Sequence, residues 1–366
     1  QANSLSMDHC FCRCGQCDFE RGAHSALWDA RRSNRNQQQH DSVEHHGGYV
    51  CLLERQNENF FDMVNKTTAR VDFFVVGAAR SGTTSLYQYL SQHPEVYLPK
   101  VKELNYFSAV TSDQYQDYQE PKPNKDYHTK IIQSAEVYDR LFQDAASGQL
   151  KGDVSPSYLW HKETAQRIAA HNPKAKILVT LRHPAKRAFS HYLMAKSVGY
   201  DRSETFQQAL DAPIKPTWGG GNDYLAWSAY AAPLKAYYAA FPAEQIKVLV
   251  FEQWIRDQEN TLGEVTSFLG LKPFEGFDLA DQHNHILAYK HQGILNFFRV
   301  KWARALLHRL FSEGLRNRAK AVLFGGKPTK ETLAPALQQK LEKEFTKEAR
   351  AIEGLIGQSL HKLWGF

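Results

Sequence analysis

A Gly-rich turn between a short apolar run and a segment with helical patterning carries the most informative chemistry of this chain. Its glycines have the spacing Gly77-x-x-x-x-Gly82, which is that of a phosphate-binding Walker A loop. Such loops hold an anion with backbone N–H groups and with the N-terminus of the following helix. A nucleoside triphosphatase has Lys after the second glycine, whereas this chain has Thr83, and its positive charge lies inside the loop at Arg80. The spacing predicts phosphate binding, and the displaced charge indicates a different reaction.

The residues around this turn supply donors suited to one phosphate. Arg80 contributes a guanidinium, and the start of the predicted helix adds N–H groups and hydroxyls. A Walker lysine and Mg²⁺ neutralise the crowded β- and γ-phosphates in phosphoryl transfer, and without that lysine we expect a single phosphate and no metal. The predicted binding residues are Arg80, Ser81, Gly82, Thr83, Thr84 and Ser85.

A second segment, 176–192, adds another anion site. It begins as an apolar run with β-branched residues, typical of a buried parallel strand, and continues as a helix with Pro184 at its first position. Arg182 lies at the end of the strand, and Ser190 lies two turns into the helix. An Arg fork and a serine hydroxyl together suit a phosphate dianion. The alternative is that Arg182 only caps a neighbouring element.

These two segments resemble those of sulfotransferases that use 3′-phosphoadenosine 5′-phosphosulfate (PAPS). In that family the 5′-phosphosulfate loop has this form, with Lys or Arg at the position of Arg80. The equivalents of Arg182 and Ser190 bind the 3′-phosphate, which ATP lacks. The resemblance covers roughly residues 71–366. It implies PAPS as co-substrate, adenosine 3′,5′-bisphosphate as product, and no metal.

Two further segments resemble the heparan sulfate and glycan type of this family. Residues 96–107 are similar to its Lys-Glu-x-His-Phe-Phe segment, in which the Glu, here Glu103, is the proposed base; Asn105 stands where His is common. Residues 151–159 resemble its Glu-Lys-(Ser/Thr)-Pro-x-Tyr segment, but the catalytic Lys of that pattern falls on Val154. That role therefore cannot be carried over to this chain.

The resemblance implies in-line displacement at sulfur by an acceptor hydroxyl. Glu103 would take the hydroxyl proton, a contribution of about 10²–10⁴-fold for a positioned base. Arg80 would stabilise the charge that develops on the bridging oxygen, and Lys102 would assist at the sulfuryl oxygens. Other interpretations stay open: Glu103 could be a surface residue paired with Lys100 or Lys102. The rival bases are His128 and His161.

Two other functions are compatible with a phosphate-binding loop. A P-loop kinase needs a Walker lysine and Mg²⁺ ligands, and Thr83 argues against it. A non-catalytic nucleotide-binding protein of the same fold would not need Glu103 beside two phosphate motifs. The acceptor is a hydroxyl-bearing molecule. Oligosaccharide, glycolipid, peptidyl tyrosine and small phenol or alcohol all stay open, and the resemblance favours a glycan or glycolipid.

The elements that must position these residues alternate between strand and helix. Apolar runs predict strands at 71–76, 148–154, 177–181 and 246–251, and helical patterning predicts helices at 84–92, 163–170, 224–240 and 334–364. This alternation predicts an α/β fold, a P-loop-like central parallel sheet flanked by helices on both faces. Ligands bind at the carboxyl ends of such strands, where both phosphate motifs lie.

The composition of the chain limits the classes of protein to which it can belong. The formal net charge is +6, a mild basic excess that fits a nucleotide or an acidic glycan but not a nucleic-acid-binding protein. No apolar run approaches the ~18 residues of a membrane span. The oligomeric state is not indicated.

The N-terminal part differs from the rest in composition. All five cysteines lie there, at Cys10, Cys12, Cys14, Cys17 and Cys51, and the spacing of the first four is too tight for a typical zinc site. We expect residues 1–62 to be a disordered or non-native extension, and residues 63–366 to form a single sulfotransferase domain. A cysteine-free domain does not suggest a disulfide-forming compartment, so a bacterial, cytoplasmic enzyme is expected.

Overall fold

Five parallel strands form the centre of the computed structural model, which describes residues 67–108, 132, 134–161, 163–197, 200–214, 221–279 and 331–366. All of these residues belong to one unit, Glu54–Phe366. The strands are β1 (Phe73–Gly77), β2 (Val96–Tyr97), β3 (Leu150–Val154), β4 (Lys176–Leu181) and β5 (Ile246–Val250). Their order is β2-β3-β1-β4-β5, and every neighbouring pair is parallel.

The order of the strands locates the binding edge. After β1 the chain builds β2 and β3 on one side of it, and then crosses to add β4 and β5 on the other side. A crevice at the carboxyl ends of the strands forms where the winding direction reverses, here between β1 and β4. Both predicted phosphate motifs begin at this place, because one follows β1 and the other follows β4.

Helices cover both faces of the sheet. Successive residues of β1 belong to two separate hydrophobic clusters, one on each face of the sheet. Phe74 lies in the cluster that includes Leu234 and Ile352, and Phe73 lies in the cluster that includes Leu86 and Val265. The helices are α1 (Thr83–Leu90), α2 (Ala135–Arg140), α3 (Thr164–His171), α4 (Pro184–Ser197), α5 (Phe206–Asp211), α6 (Ala231–Ala240), α7 (Phe251–Trp254), α8 (Gln258–Leu269), α9 (Pro335–Ile356) and α10 (His361–Trp364). The predicted α/β class is thus confirmed.

Local pattern gives most of these elements, but the short helices α2, α5 and α7 were not predicted, and three further differences concern strands and helix ends. The four predicted strands are present, but β2 was missed because two residues carry no periodicity. The helix predicted at 334–364 is broken at Gly357, which has a left-handed φ of 68° and ends α9 before the separate α10. The helix predicted from residue 224 begins only at Ala231, after a 3₁₀ turn at Ala226–Ser228.

Some predictions fall outside the described residues. These are the extension 1–62 with its Cys10–Cys17 cluster, and the rival base His128. Within the part of the chain that is described, no helix has the length and apolar character needed to cross a membrane.

Candidate active site

The loop between β1 and α1 is fixed at both ends by Thr180 of β4. The Ala78 N–H donates to the Thr180 carbonyl oxygen at 2.7 Å, and the Thr180 hydroxyl donates to the carbonyl oxygen of Ser81 at 2.7 Å. Arg80, between these two anchors, has a left-handed φ of 69°. A non-glycine residue in that region is held by its surroundings, and such positions are concentrated at functional sites.

The glycine at the start of α1 has no room for a side chain. Gly82 has φ of 86°, and a Cβ atom built on it would lie 2.3 Å from Cζ2 of Trp254 and 3.0 Å from the Phe251 ring. The N-cap residue of α1 is this glycine, which has no side chain to cap the N-terminus of the helix. An anion placed there would accept from the N–H groups of the first turn.

The hydroxyl side chains of the predicted phosphate site differ in accessibility. Thr83 and Ser85 are buried, and Thr84 is partly exposed. Ser81 is fully buried, and its hydroxyl has no hydrogen-bond partner in the structure. Thr83, at the position of the Walker lysine, offers no positive charge.

The two predicted phosphate motifs meet through their arginines. Arg80 donates from Nε to the hydroxyl of Ser190 on α4 at 3.3 Å. Arg182, at the end of β4, donates from Nη1 to the carbonyl oxygen of Arg80 at 3.1 Å, and its guanidinium lies 4.7 Å from the centre of the Phe251 ring. The Nε of Arg182 is buried and has no partner in the structure. Arg182 therefore contacts the loop through Nη1, and its Nε–H remains available to donate to a ligand.

A third arginine, missed in the sequence, joins this cluster. Arg187 is fully buried and donates to Ser228 Oγ and to the Tyr224 carbonyl oxygen, both at 2.6 Å, and to the carbonyl oxygen of Ala79 at 3.5 Å. The sequence did contain a signal for Arg187, because it lies one helical turn before Ser190 on the same face of α4.

Among the described residues no carboxylate forms an ion pair with the three arginines, although the charges of Glu103, Glu252 and Asp223 act on them from farther away. Burial and the neighbouring charge of Arg182 lower the pKa of Arg80 to about 10, although Glu103 opposes this effect. Burial likewise lowers the pKa of Arg182 and brings that of Arg187 to about 10. Their recorded hydrogen bonds all go to neutral oxygens. Buried cations in this state are stabilised by an anionic ligand.

The segment that carries Glu103 lies against the end of β3. The Glu103 N–H donates to the Val154 carbonyl oxygen at 3.1 Å, and its carboxylate accepts from Lys102 Nζ at 2.7 Å. The Lys102 and Glu103 side chains are 7% and 24% exposed, so this ion pair is partly buried and not a surface pair. Glu103 and Asn105 both have left-handed φ angles, 62° and 55°. The charge of Glu103 also acts on Arg80, which places the base segment near the phosphate loop.

A buried carboxylate holds this segment in place. Asp153 accepts hydroxyl protons from Ser155 at 2.6 Å, from Tyr158 at 2.7 Å and from Tyr138 at 3.0 Å. Each hydroxyl has one proton, so its oxygen is left to accept: Ser155 from the Asn105 N–H at 3.0 Å, and Tyr158 from the Phe107 N–H at 3.3 Å. Burial raises the pKa of Asp153 to about 6, while these hydrogen bonds oppose the shift.

The remaining positions considered in the sequence are Val154, where the family pattern has Lys, and the rival base His161. Val154 is buried in the hydrophobic cluster of one sheet face, so no cation stands at that position. Burial lowers the pKa of His161 to about 4, which makes it a weak base. Among the described residues, no group of three His, Cys, Asp or Glu side chains could hold a metal ion.

The sequence model of the sulfotransferase family matches residues 72–276 of this chain, a range that contains every site residue described above. Human heparan sulfate glucosamine 3-O-sulfotransferase 3B1 is 26% identical over 202 residues, which are 54% of this chain and 45% of that protein. The Drosophila melanogaster bifunctional heparan sulfate N-deacetylase/N-sulfotransferase is 27% identical over 234 residues, 58% of this chain and 20% of that protein. The chain spans less than half the length of these two curated relatives.

A solved structure shows the same similarity. The crystal structure of a sulfotransferase from Alicyclobacillus acidocaldarius is 28% identical to this chain, with a TM-score of 0.59. The alignment covers 82% of this chain and 100% of that chain.

Proposed function

This chain belongs to the sulfotransferase family, and on that premise we propose that it transfers a sulfuryl group from PAPS to a hydroxyl of a carbohydrate acceptor. The observation that carries the proposal is the contact between the two phosphate motifs. Arg80 bonds to Ser190, and Arg182 bonds to Arg80. Three residues from two segments far apart in the chain therefore form one cationic site. A nucleotide with phosphates at both its 5′ and 3′ positions matches such a site.

The donor nucleotide fits the groups that are available. The N–H groups at the start of α1 and the unpartnered Ser81 hydroxyl would bind the 5′-phosphate. Arg182, with its free Nε, and Ser190 would bind the 3′-phosphate. Arg187 would hold the Ala79 carbonyl and so keep the loop in position. Thr83, Thr84 and Ser85 complete the set of donors at the 5′ side.

The chemistry assigns one role to each charged residue. Glu103 takes the proton of the acceptor hydroxyl while the acceptor oxygen forms its bond to sulfur. Arg80 stabilises the negative charge on the bridging oxygen as its bond to sulfur breaks and adenosine 3′,5′-bisphosphate leaves. Lys102, which forms a 2.7 Å ion pair with Glu103, adds positive charge for the sulfuryl oxygens. The proton ends on Glu103 and the electron pair on the leaving phosphate.

The acceptor class rests on the names of the relatives. The similar human and insect proteins act on heparan sulfate according to their names. We therefore propose a carbohydrate acceptor, a free glycan or a glycolipid. The cytoplasmic location and the bacterial origin expected from the cysteine distribution stay predictions, and cell fractionation would test the first.

Three measurements test the proposal together. Calorimetric titration should show tighter binding of adenosine 3′,5′-bisphosphate than of ATP, because only the former has a 3′-phosphate for Arg182. Incubation with ³⁵S-labelled PAPS should transfer label to a carbohydrate in a panel that also includes a phenol and a peptidyl tyrosine. Activity should survive EDTA. A strict metal requirement with preferential ATP binding would instead indicate a kinase, and binding without transfer to any acceptor would indicate a non-catalytic protein.

A further inference from the structure

Two tryptophans form a stacked pair that the reaction described above does not use. The rings of Trp160 and Trp227 lie 4.9 Å apart between centres, with an angle of 18° between their planes. Trp227 is buried, whereas Trp160 is 38% exposed and is one of the few large hydrophobic side chains on the described surface. Trp227 and the edge-on His161 ring support the exposed indole. This is a rigid aromatic surface open to solvent.

Hydrogen bonds connect this pair to the base segment. Trp160 follows the 3₁₀ turn Pro156–Leu159 at the carboxyl end of β3, and its N–H donates to the Ser157 carbonyl oxygen at 3.1 Å. The Ser157 hydroxyl donates to Oδ1 of Asn105 at 2.7 Å. Asn105 is two residues from Glu103, and its Nδ2 donates to the Glu103 carbonyl oxygen at 2.6 Å. Trp160 is therefore held close to the proposed base.

Trp227 connects the pair to the other side of the site. Its ring contacts the ring of His191 at 6.0 Å between centres, and His191 directly follows Ser190. The next residue, Ser228, binds Arg187. The tryptophan pair thus lies between the base segment and the helix that carries Ser190.

Two buried polar atoms beside the pair have no partner in the structure. These are the indole Nε1 of Trp227 and Nδ1 of His191. An unsatisfied buried donor is costly, so a native protein retains one where a ligand or water completes it. Burial and the charges of Arg187 and Arg80 keep the pKa of His191 well below its usual value, so the ring is neutral. Both atoms are shielded from solvent, so a buried water would complete them, and not a ligand on the exposed face of Trp160.

We propose that the Trp160–Trp227 pair is an acceptor subsite that binds one pyranose ring against the outer face of Trp160. A pyranose has a face of C–H groups, whose positive ends match the negative face of an aromatic ring, and a rim of hydroxyls. The stack therefore excludes water from the C–H face and leaves the hydroxyls free for Glu103 on one side. This inference rests on the proposed carbohydrate sulfotransfer and names the residues that recognise the sugar.

Steady-state kinetics with heparan sulfate oligosaccharides and with neutral chitotetraose test the subsite. Trp160→Ala should raise the acceptor KM at least about tenfold, the effect of losing most of one buried aromatic contact, with the KM for PAPS unchanged. Trp160→Phe should restore part of the affinity because it keeps a ring. Tyr200→Ala, which removes an aromatic side chain that is 80% exposed, is the matched control and should leave both constants unchanged.

Direct measurement of acceptor binding distinguishes a failure of the proposed subsite from a failure of the proposed carbohydrate sulfation. Acceptor titration should quench tryptophan fluorescence in the wild type and in Trp160→Phe through Trp227, and should do so weakly in Trp160→Ala, while adenosine 3′,5′-bisphosphate binds all three alike. An unchanged acceptor KM in Trp160→Ala would overturn the subsite and leave carbohydrate sulfation intact. Transfer of sulfate by the wild type only to non-sugar acceptors would overturn both.

Discussion

Arg80 and Ser190 are in hydrogen-bond contact at 3.3 Å although 110 residues separate them in the chain. Arg80 belongs to the loop expected to hold the 5′ side of the nucleotide, and Ser190 to the helix expected to hold the 3′-phosphate. The two halves of the proposed donor site therefore touch. Because the Ser190 oxygen accepts from Arg80, its O–H proton can donate to a bound 3′-phosphate, and one hydroxyl can bridge the two halves.

Arg182 should determine which nucleotide binds. Arg182→Ala is expected to weaken adenosine 3′,5′-bisphosphate by about 1.5–3 kcal/mol, the value of a charged hydrogen bond, and AMP by much less. Calorimetric titration of both ligands measures the difference. Lys186→Ala, which removes an exposed charge from the first turn of α4, is the control and should change neither affinity. Equal weakening of the two ligands by Arg182→Ala would mean that Arg182 has only a structural role.

Glu103 should act on the acceptor and not on the donor. Glu103→Gln is expected to lower kcat by about 10²-fold or more, as for a lost general base, with unchanged affinity for adenosine 3′,5′-bisphosphate. Glu244→Gln, an exposed residue before β5 at the opposite edge of the sheet, provides the control. Full activity of Glu103→Gln would remove Glu103 from the mechanism and bring His128 or His161 forward.

Asp153 should make stability depend on pH in a defined direction. Burial raises its pKa from 3.8 to about 6, so the folded protein binds a proton more tightly than the unfolded chain. The contribution of this carboxyl to stability therefore grows as the pH falls from about 6 to about 4. The free energy of unfolding of the wild type minus that of Asp153→Asn should rise by about 1–3 kcal/mol over this window. Urea titrations at several pH values measure it, and a constant difference would contradict the assignment.

The same variant should also slow turnover. An amide in place of the Asp153 carboxylate has a donor where one oxygen was, so each hydroxyl that donates to that oxygen must reorient and the support of the Glu103 segment is weakened. We expect a lower kcat and an unchanged KM for PAPS, since only the Glu103 segment is displaced.

Gly82 should tolerate no side chain. Gly82→Ala would place a Cβ atom 2.3 Å from Trp254 at a φ of 86°, so we expect a loss of stability above about 1 kcal/mol and weaker nucleotide binding. Gly263→Ala, inside α8 with nothing within 4 Å of the new atom, is the matched control. It should stabilise the protein by about 0.5–1 kcal/mol. Thermal melts of the two variants should therefore shift in opposite directions.

The start of the functional domain can be tested by truncation. A chain beginning at Met63 should melt within a few degrees of the full chain and bind nucleotide equally well, because residues 1–62 are expected to add little packing. A chain beginning at Val71 should melt lower, by about 2–4 °C for each kcal/mol lost. It lacks Thr67, Thr68 and Ala69, which all donate to the Asp139 carboxylate of α2. Loss of nucleotide binding in the Met63 chain would refute the predicted boundary.

The sequence alone determined the elements that depend on neighbouring residues. Apolar runs predicted β1, β3, β4 and β5, and the glycine spacing predicted the turn at Gly77–Gly82 between β1 and α1, because strand and turn preferences act over a few positions. The same local reading missed β2, which is too short to show a period, and the break at Gly357.

Only the tertiary structure decided what these elements bring together. The Arg80–Ser190 contact, the burial of Arg187 and the role of Asp153 all depend on the order of strands in the sheet and on which polar groups lose access to water. Both are properties of chain segments far apart in sequence. A buried arginine or aspartate and an exposed one have the same letter in the sequence, and only packing distinguishes the one that must find a partner.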